Sequence, residues 1–400
     1  MNARTAVFVL VTLTIWVIAL STGTTVYYLL AIMPAMMVIL SLGSVLLTLF
    51  TLSVTATAQR KRVSRGDNVS ISLTIGRKSF LPVGSVELEV SAPGEGREVG
   101  RMSVSVPPLK SRQYRYNIRC AHRGVYEVGV SRVTVTDVFG LFTFSKRVKG
   151  TLARVMVMPR ARRIEPMSIR PGDVGPQGRV RMTEDRASPS SVRAWQEGDS
   201  LKNVHWKLSA RRRELLVRTF EESARPDVLI LMDCAPVNAL KSHVRTIEDV
   251  LCEAAAGAAL SQMTAGYTVR MPLNTTKPTE PVGQSVADIG HFLEVLASLS
   301  FDSPYSFEQV ITLEMRRLQR TGALIVVTTR MNATLAELAM RIEQLGVQVR
   351  YIWVAEVVHA DHEALKKRLE FADIAVETIN PWKQAEQHAP VPKRSAKNSA

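Results

Sequence analysis

Two apolar runs near the start of the chain, Ala6 to Leu20 and Val26 to Leu52, rule out most folds that live wholly in water. The second run exceeds the roughly 20 residues a helix needs to cross a hydrocarbon core, and the first reaches that length with its Ser/Thr flank. Only Ser21-Thr22-Gly23-Thr24-Thr25 lies between them, so the pattern predicts a helical hairpin. Its outer flanks are basic, Arg4 on one side and Arg60, Lys61, Arg62 and Arg65 on the other. That bias predicts a multi-pass plasma-membrane protein with both termini and its soluble domains in the cytoplasm. The competing reading, a cleaved signal peptide in the first run, has a thin positive region and no small-residue cleavage pattern. Pro34 within the second run predicts a kink.

Composition agrees with a chain that is part membrane, part folded domain: 400 residues, 46% hydrophobic, with a mean hydropathy of +0.05. A formal charge of +15 reads first as basic residues lying against anionic lipid, making the bilayer itself a partner. Aromatics are not interleaved with the basic residues, so no specific nucleic-acid binding is expected. Cys120, Cys234 and Cys252 are far apart and odd in number, which argues against a disulfide framework or a thiolate zinc site. No phosphate loop, dinucleotide fingerprint or His-Glu-x-x-His segment is present, and no cofactor is expected. His359 and His362 flank Asp361 at helical spacing but have no third ligand near in sequence.

Beyond the hairpin, period-two alternation predicts antiparallel strands at Val69 to Leu73, Val86 to Val90, Met102 to Val106, Tyr114 to Ile118, Tyr126 to Val130 and Val133 to Val135. Six short strands with turn signals between them predict a β-sandwich-like domain. In Asp137-Val138-Phe139-Gly140-Leu141-Phe142 the apolar residues are expected as a core plug beside a Gly turn. Arg160 to Ser191, rich in Arg, Pro, Gly and Ser, should be a linker or a draped loop. Strands and helices then alternate. Strands are expected at Val228 to Met232, Tyr267 to Met271, Ala323 to Thr328, Val347 to Val354 and Ile374 to Thr378. Helices are expected at His243 to Met263, Val286 to Leu299, Phe307 to Arg320, Leu335 to Leu345 and Asp361 to Phe371. That order makes a mostly parallel sheet covered on both faces. The domains expected are thus a transmembrane hairpin at 1–58, a β-sandwich at 59–160, a linker at 161–191, a signature segment plus α/β domain at 192–380 and a basic disordered tail at 381–400.

The densest chemistry lies in Arg193-Ala194-Trp195-Gln196-Glu197-Gly198-Asp199, then His205-Trp206-Lys207-Leu208-Ser209-Ala210-Arg211, then Leu215-Leu216-Val217. The structural reading makes Asp199 a helix cap, buries Trp206, leaves His205 a partly buried hydrogen-bonding residue, and pairs Lys207 and Arg211 with carboxylates such as Glu197 or Glu221. A hydrolase reading would use Asp199 and His205 as an acid/base pair with Ser209 or Lys207 beside them. One loop supplying a whole triad is unusual, because a triad is defined by geometry and supporting roles. A third reading has Lys207, Arg211, Arg212 and Arg213 hold a phosphate or a partner's carboxylates.

This constellation resembles the bacterial domain-of-unknown-function 58 family, with its aromatic-x-x-Gly-Asp, Trp-Lys-x-Ser-Ala-Arg and Leu-x-Val elements. His122-Arg123-Gly124 and Asp137 to Phe142 match elements that precede the family's signature, with Val138 where Pro is usual. The resemblance implies a von Willebrand factor A-like α/β domain, whose metal motif is Asp-x-Ser-x-Ser after the first strand. Here Asp233 is kept but Ala235 and Val237 replace both serines, and Thr328-Thr329-Arg330 ends the later strand without a carboxylate, so no metal site is expected. The resemblance also implies partners, a MoxR-type AAA+ ATPase and a transglutaminase-like membrane protein, because such genes lie beside one another. The function expected is that of a membrane-anchored interaction or scaffold protein in assembly or cell-envelope processes, with a hydrolase as the alternative. No catalytic residue is assigned. Arg193, Trp195, Gly198, Asp199, His205, Trp206, Lys207, Ser209, Arg211 and Asp233 are expected to form the signature or partner-binding set.

Overall fold

The computed structural model describes residues 3–91, 99–148, 152–169, 191–196, 204–219 and 226–382, which divide between two compact units, Met1–Met158 and Pro159–Ala400. The first unit opens with α1 (Ala3–Thr22) and α2 (Thr25–Thr51), both long and apolar enough to cross a bilayer. Gly23 makes the turn between them at φ +67°, a conformation open to glycine at little cost. Pro34 lies inside α2 without ending it.

At 27 residues α2 is about 40 Å long, which exceeds a hydrocarbon core of about 30 Å. The sequence pattern alone does not show where the excess goes. Ser41, Ser44, Val45 and Thr48, at helical spacing, are buried, and Val45 joins the core of the β region; Leu46, Leu47 and Phe50 face outward. The helix then runs directly into β1 (Leu52–Ala58), a strand hidden in the sequence because its first residue closes an apolar run.

β1, β3 (Asn68–Arg77) and β6 (Ser111–Arg119) form one antiparallel sheet. The second contains β2 (Arg62–Ser64), β9 (Ala153–Met158), β7 (Gly124–Thr136), β4 (Ser85–Ser91) and β5 (Val99–Val104) in that order, with β8 (Thr143–Arg147) also paired to β7. Residues alternate between buried and half-buried along β3, as a half-buried strand requires, and the inward residues of both sheets form one apolar cluster. Two of the expected strands are one: β7 runs from Gly124 to Thr136 through a bulge, where Arg132 faces Glu89 and Val130 faces Val90. Ser131, the residue left over, donates from its hydroxyl to the Glu89 carbonyl at 3.1 Å.

The turn after β7 also departs from expectation. Leu141 is buried, but Phe139 is 58% exposed beside the exposed Val138, so the expected core plug is only partly one. The buried group is Asp137. Its carboxylate accepts from the backbone N–H of Phe139 (3.0 Å) and Phe142 (2.7 Å) and from the Ser41 hydroxyl of α2 (2.5 Å). Thr5 of α1 donates to the Leu141 carbonyl. The turn is thereby fixed with its two apolar residues pointing away from the core.

The second unit carries a six-stranded sheet in the order β14 (Val282–Gly283), β13 (Val269–Arg270), β12 (Asp227–Met232), β15 (Thr321–Thr328), β16 (Gln348–Val354) and β17 (Ala375–Ile379). All neighbours are parallel except β14, which is antiparallel to β13. Both faces are covered: Val228, Ile230 and Met232 enter one apolar cluster, and Leu229 and Leu231 the other. On the first face lie α4 (Lys241–Thr264) and α5 (Ile289–Ser298); on the second lie α6 (Phe307–Glu314), α7 (Ala333–Gln344) and α8 (Ala360–Phe371). Two expected helices are shorter, because a 3-10 turn precedes α5 (Val286–Asp288) and another follows α6 (Met315–Arg320).

Where it is described, the stretch expected as a linker or a draped loop has no regular structure and lies on α4. Ile164, Met167 and Ile169 are buried in the first of these clusters, and the Arg162 N–H donates to the Glu253 carbonyl at 3.1 Å. The remainder of that stretch, 170–190, and the tail from 383 lie outside the described residues.

Candidate functional site

The signature folds as a hairpin with a helix inside its connection. β10 (Ser191–Ala194) pairs antiparallel with β11 (Leu216–Thr219), Arg193 opposite Val217, and α3 (Trp206–Arg212) precedes β11. Gly198 and Asp199 lie outside the described residues, so the expected Asp199 cap falls there too. The cap of α3 is His205, whose ring Nδ1 accepts from the Leu208 N–H at 3.3 Å, while its own N–H donates to the Leu216 carbonyl at 2.8 Å. The helix ends at Arg213 in the left-handed region, φ 59°.

Ser209 is buried, and its hydroxyl is engaged on both sides by one residue of β11. It accepts from the Leu216 N–H at 2.9 Å and donates to the Leu216 carbonyl at 3.4 Å. A serine nucleophile needs its hydroxyl near a base and open to substrate. This one closes α3 onto β11, and the ring of His205 serves the Leu208 N–H; His205 and Ser209 meet only through the backbone, Ser209 N–H to His205 carbonyl at 2.9 Å. Trp206, expected to be buried, is 61% exposed, because the inward positions of this short helix go to Ser209 and, in part, to Leu208. Lys207, Arg211, Arg212 and Arg213 are exposed around it. Among the described residues of the signature, the Ser209 hydroxyl and the His205 ring are engaged within the fold, while Trp206, Lys207, Arg211, Arg212 and Arg213 are exposed; Glu197 and Glu221, the expected partners of Lys207 and Arg211, lie outside the described residues. Trp195 lies just past β10, half-buried, its N–H on the Leu215 carbonyl at 2.8 Å.

Asp233 lies apart from this hairpin in sequence, at the carboxyl edge of the parallel sheet, where open α/β sheets place their ligand sites. It is 3% exposed, and its carboxylate is engaged within the protein. Oδ1 accepts from the Ala235 N–H (3.1 Å); Oδ2 accepts from the Thr328 hydroxyl (2.9 Å) and faces Arg330 Nε (3.4 Å). Arg330 also donates through Nη2 to the Pro236 carbonyl (3.3 Å). Two aromatic residues of β16 hold the loop that carries it: the Tyr351 hydroxyl donates to the Arg330 carbonyl (2.6 Å) and Trp353 Nε1 to the Thr329 carbonyl (3.1 Å). Burial pushes the Asp233 carboxyl above the usual carboxylate range and Glu308 adds to the push, against Arg330, the Ala235 N–H and Thr328, which pull it down.

The divalent ion that a von Willebrand factor A-like site would hold does not fit these residues. Ala235 and Val237 offer no side-chain oxygen, and the guanidinium of Arg330 is already seated on Oδ2. Arg330, Tyr351 and Trp353 were not among the expected site residues. The signal for Arg330 was present, since it follows the strand that should have supplied a carboxylate. Around the edge, Leu240, Tyr305, Val357 and Val358 are exposed, and His243 faces Glu356 at 3.1 Å. His359 caps α8, where the His359 N–H donates to His362 Nδ1 at 3.4 Å.

Residues 191–365 match the model of a family described as "Protein of unknown function DUF58". Over 202 residues the chain is 26% identical to the uncharacterized protein YeaD of Bacillus subtilis, a match that covers 48% of this chain and 50% of that protein. The chain thus spans about half the length of the curated relative it matches. Among solved structures, the CARDB domain of a Pyrococcus furiosus protein in complex with di-metal ions is 16% identical with a TM-score of 0.20, covering 26% of this chain and 86% of that one. A cycloisomaltooligosaccharide glucanotransferase from Paenibacillus sp. is 8% identical with a TM-score of 0.17, covering 81% and 52%. Scores so low carry no argument about fold or activity.

Proposed function

We propose, from the match of residues 191–365 to the DUF58 family model, that this chain is a membrane-anchored docking protein whose second unit recruits a partner. The observation that carries the reading is the arrangement of the signature. Ser209 and His205 are engaged inward on Leu216 and Leu208, whereas Trp206, Lys207 and Arg211 stand outward. An exposed tryptophan among cations suits a protein surface bearing carboxylates, since Trp and Arg dominate the energetics of such contacts. α1 and α2 supply the anchor, with the β region and a von Willebrand factor A-like domain on the cytoplasmic side. The partner is a MoxR-type AAA+ ATPase, with a transglutaminase-like membrane protein in the same assembly, working toward the cell envelope.

Crosslinking with mass spectrometry in native membranes tests this. The intact chain should crosslink to the ATPase through the α3 surface, and Lys207→Ala, Arg211→Ala and Trp206→Ala should each weaken that crosslink while leaving the chain in the membrane. Crosslinks unaffected by all three variants would overturn the assignment of the surface. Turnover of a small molecule that disappears in His205→Ala would replace docking with catalysis.

A further inference from the structure

We propose that the end of the β region next to the helices is a lipid-binding face, which seats exposed aromatic and aliphatic side chains in the bilayer interface and basic side chains on anionic headgroups. The inference rests on the reading that α1 and α2 span the bilayer.

Strand register identifies the end in question. Leu52, the residue after α2, pairs with Arg77 at the end of β3, and Gly76 pairs with Ser111 at the start of β6. In the other sheet Ser85 and Thr143 both pair with Thr136, and Val86 pairs with Val104. The connections 78–84, 105–110 and 137–142 therefore all leave from the end at which the chain emerges from α2. Asp137 bonded to Ser41, and Leu141 bonded to Thr5, fix the last of these against both helices.

Among the described residues, that end carries an exposed apolar surface. Phe80, Leu109, Val138, Phe139 and Phe144 are exposed there, and Phe50 lies beside them at the end of α2. Of the large hydrophobic residues exposed among the described residues of 59–158, Leu152 alone lies away from this end. Soluble surfaces scatter such residues singly; a cluster marks an interface. Leu46, Leu47 and Phe50 of α2, at the helix end from which the chain enters the β region, are exposed as well.

The charges at this end are one-sided. Segments 77–84, 105–113 and 137–147 contain Arg77, Lys78, Lys110, Arg112, Lys146 and Arg147, and their one acid is Asp137, which is buried and bonded within the fold. Lys146 lies over the Phe50 ring at 5.7 Å and donates to the Leu49 carbonyl at 3.4 Å, a cation laid along apolar surface with its head at the helix end. Arg77 is buried within the fold, so the side chains free to meet headgroups are the exposed Lys78, Lys110, Arg112, Lys146 and Arg147. Amphipathic anchors ringed by Lys and Arg bind anionic membranes by this combination of apolar burial and headgroup charge.

The test uses the full chain in vesicles of phosphatidylcholine and phosphatidylglycerol, with a nitroxide attached in turn to Phe80→Cys, Phe139→Cys, Ala121→Cys and Leu30→Cys. The three native cysteines are free but buried, so labelling the folded protein reads the introduced site. Ala121 is exposed at the opposite end of the β region, next to Cys120, and Leu30 is exposed on α2. Labels at 80 and 139 should collide with oxygen several-fold more, relative to a water-soluble nickel chelate, than the label at 121. The difference should shrink when phosphatidylglycerol is omitted or when Lys78, Lys110 and Lys146 are all changed to Glu. Labels at 80 and 139 as water-accessible as that at 121, with 30 still in lipid, would overturn the lipid face and leave the anchor standing. If 30 is also water-accessible, the anchor reading fails first. Shielding of 80 and 139 from both reagents would mean that a protein covers this end, and would also overturn the proposal.

Discussion

Arg330 is seated on the buried carboxylate of Asp233, and its worth can be read from a pH profile. The Asp233 carboxyl titrates above the ordinary carboxylate range, mainly because it is buried, so between the unfolded and folded values the folded protein holds a proton that the unfolded chain has released. Its contribution to stability is therefore full below the ordinary range and is lost as pH rises through the folded value. Arg330→Ala removes the strongest of the effects that limit this loss. The variant should be destabilised little at acid pH, where Asp233 is protonated, and by about 2 kcal/mol near neutrality, where a charged carboxylate has lost its partner. Denaturant midpoints measured across pH should diverge upward, and a gap independent of pH would show that Arg330 acts by packing alone. Ser209 offers a second measurement. Ser209→Ala leaves the buried Leu216 N–H without its acceptor, at a cost of about 1–2 kcal/mol in thermal unfolding. Loss of stability in Ser209→Ala with no change in any enzymatic rate is the pattern of a structural hydroxyl; retention of stability in Ser209→Ala would reopen it as a nucleophile.

Elements were legible in the sequence where periodicity and burial agree. β12, β15 and β16 are near-continuous apolar runs because a parallel sheet with helices on both faces buries every residue, and α4 showed its Ala and Leu at helical spacing for the same reason. β1 and β9 escaped because a strand following a membrane helix, or crossing a basic stretch, loses its contrast with its surroundings. Burial of Ile164, Met167 and Ile169 escaped for a different reason: that segment has no regular structure, and its side chains are placed by the helix it crosses. Gly257 of α4 makes that crossing possible, since a Cβ there would lie 2.1 Å from the Arg162 carbonyl oxygen, and a backbone atom cannot swing aside as a side-chain end can. Gly257→Ala should cost about 3 kcal/mol, although alanine is the better helix former by about 1 kcal/mol. Circular dichroism melts decide it: a variant as stable as the parent, or more so, would show that 160–169 does not press on α4.

At the scale of the whole molecule, each unit holds its own core, one cluster in the β region and two on the faces of the parallel sheet. Units with separate cores unfold as separate cooperative transitions unless their interface is large. Asp137 and Gly257 are suited to separating them, because each is buried in one unit and has its contacts there. Asp137→Ala strips the Phe139 and Phe142 N–H groups and the Ser41 hydroxyl of their common acceptor, a loss of about 2–3 kcal/mol to the β region and its seat on the helices. Gly257→Ala acts only on the α/β unit. Calorimetry of the full chain in vesicles should therefore show two transitions, with Asp137→Ala lowering one, Gly257→Ala lowering the other, and the double variant lowering both by the sum of the single shifts. Adding phosphatidylglycerol should raise the transition sensitive to Asp137 and leave the other in place, since the exposed aromatics and the lysines around Arg77 belong to the β region alone. One transition, moved alike by both substitutions, would mean that anchor and docking unit are coupled as a single cooperative body, and that a partner bound to α3 would be felt at the membrane face.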